Sequence, residues 1–231
     1  MTPRYLALVL IPLACAESGS RAADTAGAAT VATPTSEWVN LVDSAATGWR
    51  TYKKAGLEGW HVVDGALTRT GPGGDIVYAA REFGDFELEL EWKLQPKGNS
   101  GIFFRGTEGT EELYENSAEM QVLDNVGHPD NSTELTVSGA NYGLHPAPRD
   151  AVKPIGEWNT VRLIARGAHV EHWLNGQKVV DYELWSPDWE AKVKASKFAQ
   201  WPSYGRAKSG FIGLQDHGDW VAYRNIRIRP L

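Results

Sequence analysis

Three short stretches hold side chains that could perform proton transfer or stabilise a developing charge. The first is IFFRG, with Arg105; the second is AEMQVLDN, with Glu119, Gln121 and Asp124; the third is GLQDH, with Gln215, Asp216 and His217. Carboxylates and imidazoles are the usual acid–base groups, a guanidinium is a fixed cation, and carboxamides bind hydroxyls. Each of these residues alone reads as a solvated surface group. Together they are informative, because the same stretches are otherwise strongly apolar.

Alternation shows how they can meet. In residues 86–94 (FELELEWKL), Phe86, Leu88, Leu90, Trp92 and Leu94 alternate with charged residues, the pattern of a half-buried strand. KGNSG follows, with Gly98 and Gly101 free to take positive φ, so the spacing predicts a hairpin into a strand carrying Ile102 and Phe104. With Ile102, Phe104, Met120, Val122, Ile212 and Leu214 facing the core, the opposite face presents Phe103, Arg105, Glu119, Gln121, Phe211, Gln215 and His217. Asp216 then turns inward unless the strand is bulged. The expectation is one polar face on neighbouring strands.

The rest of the chain reads as strands and turns. WHVVDGALTRT is a hairpin about Asp64 and Gly65, while NTVRLIAR, HVEHWLN and KVVDYE form a meander turning at Gly167 and at Asn175–Gly176. Residues 186–198 predict the one helix, capped by Ser186 with Pro187 in its first turn. Two final strands follow. Residues 126–156 form a long polar loop, and loops of this length in compact domains are usually functional; His128, Tyr142 and His145 lie on it, with both histidines expected at the surface. Ten or more short strands with one helix predict an all-β sandwich of two antiparallel sheets.

The 231 residues carry a formal net charge of −6 and no basic run, which argues against nucleic acid and acidic polymers as partners. Ten tryptophans either fill the core or line a sugar-stacking groove. Cys15 is the only cysteine, so neither an intramolecular disulfide nor a Cys-based zinc site can form. It ends an apolar stretch begun after Arg4, and residues 1–15 resemble a bacterial lipoprotein signal, with Pro12 where leucine is usual. The alternative is an ordinary secretory signal cut a little later. Lipidation at Cys15 would place the protein in the periplasm or at the outer membrane, touching the membrane only through its anchor. Residues 16–36 have the composition of a disordered tether, and the folded domain spans 37–231.

The Glu119, Gln121, Asp124 spacing resembles the paired-carboxylate signature of concanavalin-like β-glucanases, with Gln121 replacing the middle carboxylate. A retaining pair must approach to about 5–5.5 Å, so on one strand Glu119 and Asp124 would need a bulge between them. A broader resemblance runs over residues 37–231. FELELEWKL, NSGIFFRG, EMQVLDN, GHPD, SGANYGLHPAP, GEWNTVRLIARG, SKF with YGRAKSG, and IGLQDHGDWVAYRNIRI are together similar to the 3-keto-disaccharide hydrolase domain family, also described as 3-keto-glycoside lyases and hydratases. The resemblance implies a concanavalin A-like jelly roll, secretion, and action on a glycoside or oligosaccharide already oxidised at C3. It further implies a base for the C2 hydrogen, an acid, and a stabiliser of the enolate. His217 is the first candidate for base or acid, with Glu119 or Asp124 as its complement; Arg105 would stabilise the enolate, and Gln121, Tyr142, Gln215 and Asp216 would bind the sugar. No cofactor is required by the sequence. A divalent metal held by Glu119 and His217 could replace Arg105, although no ligand spacing is diagnostic. A non-catalytic carbohydrate-binding module on the same fold remains the third reading.

Overall fold

The computed structural model describes residues 37–231; the expected signal, Cys15 and the expected tether lie outside the described residues. Thirteen strands make up two antiparallel sheets: β1 Val39–Asn40, β2 Trp49–Thr51, β3 Trp60–Val63, β4 Ala66–Arg69, β5 Ile76–Tyr78, β6 Phe86–Leu94, β7 Asn99–Gly106, β8 Ala118–Leu123, β9 Asn159–Arg166, β10 His169–Leu174, β11 Gln177–Glu183, β12 Phe211–Leu214 and β13 Val221–Pro230. One sheet runs β11-β10-β9-β6-β13-β4-β3, with β1 also on β13; the other runs β2-β5-β12-β7-β8. The all-β, two-sheet expectation holds, and so does a single α-helix among the described residues, α1 Pro187–Ala195, whose first turn is capped by the Ser186 hydroxyl accepting from the Trp189 amide.

The alternation in β6 works as predicted. Its apolar set fills the space between the sheets, where Phe86, Leu88, Leu90, Trp92 and Leu94 are at most 2% exposed. Its charged set forms cross-strand ion pairs on the outer face, Glu87 with Arg162 and Arg229, Glu89 with Arg227, and Glu91 with Arg224. The Asp64–Gly65 turn also forms, both residues taking positive φ, as a two-residue loop joining right-twisted strands requires.

The predicted β6–β7 hairpin does not form. The two strands belong to different sheets, and the turn between them carries the chain across the sandwich. Lys97, at φ 63°, takes the left-handed position expected of Gly98 or Gly101. Local turn chemistry could not reveal this, since a hairpin and a sheet-to-sheet arch need the same tight reversal.

The long loop also has a structural job. Its residues 139–142 lie along the free edge of β8: the Gly139 and Tyr142 amides donate to the carbonyls of Gln121 and Glu119, and the Gln121 amide donates to that of Ala140. This occupies backbone groups that an edge strand would otherwise expose.

Candidate active site

The outer face of the five-stranded sheet is divided in two. On one half, Phe103 packs with Tyr52, Val77 and Leu113 beneath the 107–117 segment. On the other, Glu119 and Gln121 of β8 and Gln215, just past β12, floor a cavity of about 130 Å³ walled by Asn99, Tyr114, Asp130, Tyr142, Lys197 and His217. That volume is below the usual range for drug-sized ligands. A larger groove of about 620 Å³ crosses the outer face of the other sheet. Its Glu89, Glu91, Arg162 and Arg227 are already ion-paired, which leaves no free acid, base or electrophile among them. The smaller cavity is where reactive groups converge.

Glu119 is its central feature. The residue is 5% exposed, and burial pushes its carboxyl up to about 8, with Lys197 opposing the shift and Asp75 adding to it. Its place depends on Gly101 in the neighbouring strand, because a Cβ there would collide with the Glu119 carboxyl. Lys197 enters from the end of α1, on a 3-10 turn (Lys197–Gln200) fixed by the Ser196 hydroxyl accepting from the Phe198 amide. Its ammonium lies 4.5 Å from the centroid of Tyr142 and 5.7 Å from that of Tyr114. Burial and then the nearby Glu119 raise the Tyr142 phenol above its ordinary range. Gln215 has a buried Oε1 with no hydrogen-bond partner, an acceptor left for a ligand hydroxyl. Gln121 is 1% exposed and points its amide toward Asn99 Oδ1 at 3.5 Å.

The structure thus brings Glu119, Gln121, Tyr142, Gln215 and His217 together, and places the other three sequence candidates elsewhere. Arg105 sits at a bulge where Phe211 pairs with Gly106 and Gly213 with Phe103, and its φ of 52° ends the alternation. Its guanidinium leaves the outer face and donates to the carbonyls of Gly84 (2.9 Å) and Gly167 (2.8 Å), and to Asp85. It ties the two sheets together, and its burial lowers its pKa. Asp124 accepts the amides of Lys97 (2.8 Å), Val126 and Gly127 (both 3.0 Å). Burial would raise its pKa, but the bonds from Gly127, Lys97 and Val126 hold it below the usual range. Asp216 accepts from Arg69 and from the amides of Gly73, Gly74 and Gly218, and is held low in the same way.

These two aspartates brace the turns that carry two histidines. The Asp124 carbonyl receives the His128 amide, and Asp216 directly precedes His217. His128, expected at the surface, lies half-buried with its ring 5.8 Å from that of His217. His145 is 8% exposed and stacks on Tyr182. Lys197 was not singled out in the sequence; SKF beside a capping serine was its only trace.

The family model for the 3-keto-alpha-glucoside-1,2-lyase-like domain matches residues 37–229. This chain belongs to that family. A 3-keto-disaccharide hydrolase of Bacteroides thetaiotaomicron is 37% identical over 217 residues, 80% of this chain and 74% of the relative. A solved structure from Parabacteroides distasonis, provisionally described as a glycosyl hydrolase, superposes with a TM-score of 0.78 at 29% identity, covering 84% of this chain and 94% of that one. A carbohydrate binding module of Bacillus subtilis shares the fold at 14% identity, with a TM-score of 0.52 over 79% of this chain and 96% of its own. Family membership thus marks the chain as a carbohydrate-active protein of jelly-roll fold.

Proposed function

We propose that this protein cleaves glycosides whose sugar carries a ketone at C3. The observation that carries the reading is Glu119: a buried carboxyl, held protonated near neutrality, beside an ammonium in a small polar cavity. A ketone at C3 acidifies the C2 hydrogen. The conjugate base of an acid near 8 is a stronger proton acceptor than an ordinary carboxylate, and remains accessible close to neutral pH. Glu119 takes the C2 proton, and the C–H pair becomes the C2–C3 double bond of an enolate. Lys197 places positive charge near the developing oxyanion. The ketone then re-forms, the C1–oxygen bond breaks, a C1–C2 double bond remains, and the aglycone oxygen takes a proton at the cavity mouth, which His217 and Asp130 line. Release at this stage is a lyase reaction; addition of water to C1, with a proton to C2, completes a net hydrolysis.

Direct hydrolysis of unoxidised glycosides by the glucanase-like pair fits less well. Asp124, the second acid of that pair, is spent on three backbone amides. A binding module has no use for a carboxyl raised to about 8. The test is NMR of products from a 3-keto glucoside and its parent glucoside in deuterated water. The expected result is cleavage of the ketone only, with deuterium entering C2, and a loss of about 10² to 10⁴-fold in turnover for Glu119→Gln. Cleavage of the parent at a comparable rate, or full activity in Glu119→Gln, overturns the proposal.

A further inference from the structure

At the rim of the cavity, His128, His217 and Asp219 each offer a ligand atom, and these lie within 4.8 Å of one another. Only His217 among them lines the cavity. We propose that the three residues bind a divalent first-row transition ion, and that His217 acts as a ligand to it. Two imidazoles and one carboxylate suit zinc, manganese, iron or cobalt better than calcium or magnesium, which prefer oxygen donors alone.

The surroundings are those of a supported site. The Asn99 amide donates to Asp219 Oδ2 at 3.1 Å, which orients the carboxylate and leaves its other oxygen free. His128 Nδ1 accepts the Asp130 amide at 3.0 Å, so the neutral ring carries its proton on Nε2 and its lone pair on Nδ1. An ion takes that lone pair in place of the amide. Donor atoms around an ion with bonds of about 2.0–2.2 Å sit roughly 3–3.5 Å apart, so the widest separation in the cluster must close by up to about 1.3–1.8 Å. His217, with 46% of its side chain exposed, has room to move. Three protein ligands leave a position open for water or substrate, as in catalytic metal sites. The unpartnered Oε1 of Gln215, two residues before His217, is an acceptor for a hydroxyl or water held there.

A second cluster of similar composition is a natural control. In it both ring nitrogens of His169 bond to carboxylates, Glu183 and Glu171, Glu171 also accepts from the Trp173 indole, and Lys178 pairs with Asp181, so an ion there would displace several bonds where the first cluster gives up one. The ion's role in the reaction rests on the proposed elimination: beside Lys197 it would add a second positive charge for the ketone oxygen, a role that Arg105, facing elsewhere, does not fill. Its binding does not depend on that reading.

The experiment is isothermal titration of ZnCl₂ and MnCl₂ into chelator-treated protein, with circular dichroism to check the fold of each variant. One ion per chain is expected. Affinity should fall by at least about 100-fold in both His128→Ala and Asp219→Asn, since even losing an outer-shell partner costs about 10–100-fold. His169→Ala should bind like the parent. No binding by the parent, unchanged binding in folded His128→Ala or Asp219→Asn, or loss in His169→Ala overturns the site. Metal binding without cleavage of a 3-keto glucoside leaves the site standing and removes its catalytic role.

Discussion

Replacing Glu119 by glutamine should make the protein more stable and less active, and the gain should depend on pH in a calculable way. In the unfolded chain this carboxyl titrates at its ordinary 4.5, while in the fold it is held at about 8. Its folded pKa is raised, so its contribution to stability is fully present below 4.5 and is lost as pH rises towards 8. Each pH unit in that window costs about 1.4 kcal/mol. At pH 7 the accumulated loss is on the order of 3 kcal/mol, and above pH 8 on the order of 5 kcal/mol. Glutamine has nearly the same shape and cannot ionise, so it escapes the loss. For a domain of this size 1 kcal/mol moves Tm by roughly 2–4 °C, so the variant should melt roughly 6–12 °C above the parent at pH 7. The difference should shrink towards zero at pH 4.5. Thermal melts of both proteins at half-unit steps from pH 5 to 9 measure it. Asp75, itself raised to about 7 by burial, adds its own slope to both proteins, and because its charge also acts on Glu119, Asp75→Asn in both backgrounds isolates the Glu119 contribution. Parallel Tm profiles, or a variant that melts lower at pH 8, would show that the carboxyl is not held protonated and remove the basis for its proposed role.

Gly101→Ala should abolish turnover without replacing a reacting group, because the new methyl occupies the space of the Glu119 carboxyl and displaces it; a soluble, folded variant with parental kcat/KM would refute this. Arg105→Ala should cost about 2–4 kcal/mol, as two carbonyls and Asp85 lose their donor, while the folded fraction keeps its KM. A denaturant midpoint unchanged from the parent would contradict it. Labelled palmitate should enter the full-length parent and not Cys15→Ala; equal labelling would rule out Cys15 as the lipid anchor proposed from the sequence.

Much of the fold was legible because period-two patterning in β6, β9 and β10 tracks burial directly. Glu119, Gln121 and Gln215 were found by the same rule, since β8 and the end of β12 keep their register up to the cavity. Arg105 was misplaced by that rule, because a bulge opposite Ile212 puts one extra residue into β7 and no local signal announces it. Asp124 was read as an acid or base and Asp216 as a sugar ligand because a carboxylate that binds amides in a turn looks, in sequence, like one that binds substrate. Lys197 and the His128–His217 approach depend on where a helix end and a long loop settle, which is fixed by packing between distant parts of the chain.

The segment 139–142 has a consequence beyond catalysis. It lies along the outer edge of β8, and one of its residues, Tyr142, also forms a wall of the cavity. Were it to peel away, the same motion would open the cavity proposed to hold the sugar and bare an apolar strand carrying Met120 and Val122 to pairing with another chain. Substitutions that loosen this segment should therefore lower activity and promote aggregation together, and a sugar bound against Tyr142 should protect the protein from both.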